Sequence, residues 1–160
     1  MTSIVSFERP SFAEIATIIR RISPVVGGPD FGFTPNSISR YLEHGGSNLL
    51  WQHIPDWERY EFGRWEISDE EFVELLFSPG RPSPEERIVV VTDECFSGAA
   101  DHRGFSFRFG DILPFARDVY PQLHRHSIAF FQPADMIFVA EQSRLIVLLH
   151  HGRVKMQFAG

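Results

Sequence analysis

SIAFFQPADMIFVAEQSRLIVLLHHGRVKMQF, from Ser127 to Phe158, is the stretch that decides the fold. It reads as three closely spaced strands at 127–131, 136–141 and 144–150, with a fourth at 154–158 behind a Gly152 turn. Leu145-Ile146-Val147-Leu148-Leu149 is an unbroken apolar run, so this strand is expected to be covered on both faces, as a central strand is. Val154-Lys155-Met156-Gln157-Phe158 alternates, which suits a half-exposed edge strand with Lys155 blunting its open side.

Outward from that stretch, Asp111 is expected to cap a helix. Ile112, Phe115, Ala116 and Val119 form its inner face, Pro114 is tolerated in its first turn, and Pro121 closes it. Residues 93–110 read as a long connection that carries Phe105-Ser106-Phe107-Arg108-Phe109. Before it, Arg87-Ile88-Val89-Val90-Val91-Thr92 is a short β-branched strand. Ser68 opens a helix with a capping box completed by Glu71, turns Phe72, Leu75 and Leu76 inward, and stops at Pro79-Gly80-Arg81-Pro82. Thr34-Pro35 starts another, with Ile38, Tyr41 and Leu42 on one face. The first helix is capped by Ser11 and Glu14, buries Phe12, Ile15, Ile19 and Ile22, and places Arg20 and Arg21 at its negative end. Helices come first, then a mostly antiparallel sheet with one inserted helix. The expectation is one α+β domain over 1–160, its N-terminal helices packed on the C-terminal sheet.

Hydrophobic content of 43% and charged content of 22% are those of an ordinary globule. No apolar run approaches the roughly 18 residues of a membrane span. The first residues show no basic stretch followed by an apolar core, and Cys95 is alone, so no internal disulfide can form. A cytoplasmic protein is expected. Charge is unevenly spread. From Asp56 to Glu94 there are twelve acidic residues against four arginines, a local net of −8 within a chain of net −6. Such a segment disfavours nucleic acid and favours a basic partner.

Catalytic patterns are thin. His124 and His126 could share a metal with a carboxylate if they lie on a strand, while adjacent His150 and His151 would point to opposite faces. Neither pair has a second half such as His-Glu-x-x-His. Cys95 follows Asp93 and Glu94, whose charges oppose a reactive thiolate, so it reads as a small hydrophobe. Gly27-Gly28 and Gly45-Gly46 lack the strand–glycine–helix context and the lysine of a phosphate cradle. No cofactor is expected. Trp51 to Glu66 is more informative, interleaving Trp51, Trp57, Tyr60, Phe62 and Trp65 with Asp56, Glu58, Glu61 and Glu66 without helical or strand period. Such rings either plug the core under a loop or form aromatic anchors ringed by carboxylates, and the two uses are compatible.

Thr92-Asp93-Glu94-Cys95-Phe96, Phe130-Phe131-Gln132-Pro133-Ala134-Asp135 and Leu148-Leu149-His150-His151-Gly152 resemble stretches of small bacterial immunity proteins. These are the cytosolic antidotes of contact-dependent growth inhibition and related polymorphic toxin systems. The resemblance spans 87–158 and implies a protein that binds one toxin domain, often a basic nuclease, and blocks its active site or substrate path. On that reading the contacts are Asp56, Trp57, Glu58, Glu61, Asp93, Glu94 and Asp101, the carboxylates standing in for phosphate charge against toxin Lys or Arg. Two other classes stay open. One is a small metal-dependent hydrolase built on His124 and His126, and the other a self-associating module that buries the Trp51–Trp65 aromatics.

Overall fold

A computed structural model describes residues 5–22, 42, 68–77, 80–92, 95, 102–123, 136–150 and 154–159, with backbone alone at 148–150 and 154–159. Its centre is a sheet of β1 (Arg87–Thr92), β2 (Phe105–Arg108), β3 (Met136–Ala140), β4 (Leu145–His150) and β5 (Val154–Ala159). The order is β2-β1-β3-β4-β5, and every neighbouring pair is antiparallel. Helix α1 is Phe12–Ile22 and helix α2 is Asp69–Leu76. The third helix, α3 (109–123), runs through a 3-10 turn at Phe109–Asp111, an α turn at Ile112–Pro114, a π turn at Phe115–Val119 and an α turn at Tyr120–Leu123. The architecture is α+β.

The pairing explains why the inner strands are apolar throughout. Val90 lies opposite both Phe105 and Phe138, which in turn faces Val147; Val89 lies opposite Ser106 and Val139, which faces Ile146. Partners project to the same side, so these are the sheet's two faces, and all seven of the apolar residues are buried. On the Val90 face α3 supplies the cover. Phe115 stacks on Phe107 with centroids 4.3 Å apart, tilts against Phe105 at 5.3 Å, and receives Phe7 edge-on at 5.7 Å. On the other face Ile15 of α1 reaches Val91 across Gly104. A Cβ on Gly104 would lie 2.8 Å from both Ile15 Cδ1 and the Val90 carbonyl oxygen, so only glycine admits this approach.

Chain segments distant in sequence lock the sheet at two places. Along the outer side of β2, Glu8 and Ser106 exchange backbone hydrogen bonds of 2.8 Å, and the Gly104 N–H donates to the Pro10 carbonyl. The Arg9 guanidinium lies 4.3 Å from the Phe105 ring centroid while its Nε donates to the Gly104 carbonyl at 2.8 Å. Residues 8–11 thus cover an edge that would otherwise present open backbone groups. At the other place, the turn 141–144 joins β3 to β4. Glu86, only 4% exposed, accepts hydrogen bonds from both the backbone N–H and the hydroxyl of Ser143. Arg144, at φ 53°, donates to the Ile22 carbonyl at 2.6 Å, and Arg21 donates to both oxygens of Glu141 at 2.8–3.1 Å. The C-terminal end of α1, the entry to β1 and this turn are one clasp.

The expected strands at 87–92, 136–141, 144–150 and 154–158 appear with ends shifted by a residue at most, and β5 lies at the sheet's margin. The strand expected at 127–131 lies outside the described residues, as does the helix after Thr34 except Leu42, which is helical and buried. Four expectations are corrected. Asp111 does not cap α3 but lies in its opening 3-10 turn, where its carboxylate accepts from Arg108 Nε at 3.3 Å. Phe105–Arg108 is a strand and not connection, because Phe105 and Phe107 alternate onto the buried face. Leu75 is 41% exposed, and Val73 takes the buried position assigned to it. Helix α3 does not close at Pro121 but runs on to Leu123. Pro121 has no N–H, and in a regular α-helix its ring meets the carbonyl four residues back. The Tyr120 N–H reaches back to the Phe115 carbonyl instead, and this wider turn makes room for the ring.

Gly104→Ala should lower stability by about 1–3 kcal/mol, because one contact of the added methyl is immovable backbone. Urea denaturation checks this, and an unchanged midpoint would show that both α1 and the β1 backbone yield to the methyl.

Candidate partner interface

Helix α2 begins at Ser68, whose extended backbone (φ −69°, ψ 161°) and Oγ, accepting the Glu71 N–H at 3.2 Å, make it an N-cap. Its inward side is Phe72, Val73 and Leu76, all buried. Phe77, just past its end, meets Phe109 edge-on at 4.9 Å and Phe138 at 5.5 Å, fixing α2 against α3 and β3. The apolar residues thereby commit the acidic ones to the outside. Glu70, Glu71 and Glu74 are exposed and Asp69 is partly so, with Leu75 on the same outer surface. Three of these carboxylates lie in the first turn, where the helix dipole favours negative charge.

Arg117 of α3 crosses to this helix. Its Nη2 lies 2.6 Å from Glu70 Oε1 and its Nε 3.3 Å from Asp69 Oδ2. The Arg117 hydrogen bond, helped by one from the Glu70 backbone, holds the Glu70 carboxyl below its usual 4.5. The Glu70 hydrogen bond in return raises the guanidinium further above its already high value. Both side chains are about half exposed, so the pair is a modest tether.

The charge excess of 56–94 is therefore only partly on offer. Six of its twelve acids lie among the described residues: Asp69, Glu70, Glu71, Glu74, Glu85 and Glu86. Glu86 is buried against Ser143, and Asp69 and Glu70 hold Arg117. Glu71, Glu74 and Glu85 are exposed and make no ion pair among the described residues.

The expected contacts Asp56, Trp57, Glu58, Glu61, Asp93, Glu94 and Asp101 all lie outside the described residues, as do the remaining Trp51–Glu66 positions and His124, His126 and His151. Cys95 is described and is 2% exposed. Its Sγ accepts the Thr92 N–H at 3.4 Å and lies 3.5 Å from Thr92 Oγ1, to which the Tyr120 hydroxyl donates at 3.2 Å. These bonds satisfy polar groups in the core, in keeping with a thiol used as a small buried side chain. Among the described residues no three His, Cys, Asp or Glu side chains converge to hold a metal ion, and no helix is long and apolar enough to cross a membrane. The chain matches no protein-family model, no curated protein and no solved structure.

The lowered Glu70 value fixes the sign of a pH effect. Stability from this pair is complete above the ordinary glutamate range and is lost as pH falls through the lowered value. Thermal melts of the parent and Glu70→Gln should therefore differ at neutral pH and converge only once pH has fallen below the ordinary glutamate range. A gap that stayed constant down to acid would show that ionisation of Glu70 contributes nothing.

Proposed function

We propose that this protein works by stoichiometric binding, as a cytoplasmic antidote that captures a basic toxin domain and neutralises it. The observation that carries the reading is the segregation of charge. A local net of −8 lies in one quarter of the sequence, and within it α2 turns its apolar side to the core and its carboxylates outward. An acidic surface of this kind speeds encounter with a cationic partner and rejects anionic ones. The likeness of residues 87–158 to immunity proteins supplies the partner class. Asp56, Trp57, Glu58, Glu61, Asp93, Glu94 and Asp101 are the proposed contacts, with Glu71 and Glu74 of α2 added by their exposure.

The test is co-expression with the product of the adjacent upstream gene, using this protein as bait. A one-to-one complex that restores growth is the expected result, with affinity falling as salt rises. Glu71→Lys with Glu74→Lys should weaken the complex by about tenfold, mainly through slower association. Failure to capture any basic partner would end this reading.

A further inference from the structure

We draw no further inference here: the strongest candidate, the outer edge of β5 at the margin of the sheet, pairs with no strand among the described residues, and nothing in the structure shows what covers it.

Discussion

A carboxylate withdrawn from water is expensive unless every oxygen is bonded, and Glu86 is such a group. Both of its oxygens accept from Ser143, one from the backbone and one from the hydroxyl. Because Glu86 immediately precedes β1 and Ser143 sits in the turn between β3 and β4, this contact fixes where β1 lies along β3. Ile88 then falls opposite Ala140 and Thr92 opposite Met136. A slip of one residue would turn every β1 side chain to the other face and take Glu86 from its only suitable donors at that turn. The Arg21–Glu141 and Arg144–Ile22 bonds carry the same constraint into α1, so strand register and helix placement are set together.

What could be read in the sequence was what depends on near neighbours. The β-branched run at 87–92, the apolar run at 145–149 and the cap residues Ser11 and Ser68 all act within a few positions, and each appears as the element expected. Phe105–Arg108 was hidden because four residues between Gly104 and the 3-10 turn at Phe109 give a short alternation, and its strand identity depends on β1 and residues 8–11 pairing on either side. Leu75 was misplaced because its helix is short, and Val73 together with the ring of Phe77 takes the inner space instead. The course of α3 past Pro121 was hidden because a π turn is a response to one proline, which a search for apolar period passes over.

The acidic character of 56–94 was equally legible, but its disposition was not. Composition counts Glu86, Glu70 and Glu74 alike, whereas folding buries the first, pairs the second with Arg117 and leaves the third outside. Local charge on a surface is a count minus what the fold neutralises, and the neutralising residue here comes from another helix. The aromatic segment around Trp57 carries the other part of the reading, and its placement relative to α2 decides whether rings and carboxylates act on one partner together.

Helix α1 also has a consequence for biosynthesis. Its stripe of Phe12, Ile15, Ile19 and Ile22 is made early, yet the groups that receive it come late: Gly104 beside Ile15, His102 accepting the Phe12 N–H, and Arg144 holding the Ile22 carbonyl. Until residues 102–144 have left the ribosome, none of these three groups can receive the stripe. In that interval α1 lacks these native contacts, and an apolar stripe waiting on later residues is a natural target for chaperones that hold such segments. Residues 8–11 likewise cannot seal β2 until 103–106 have emerged.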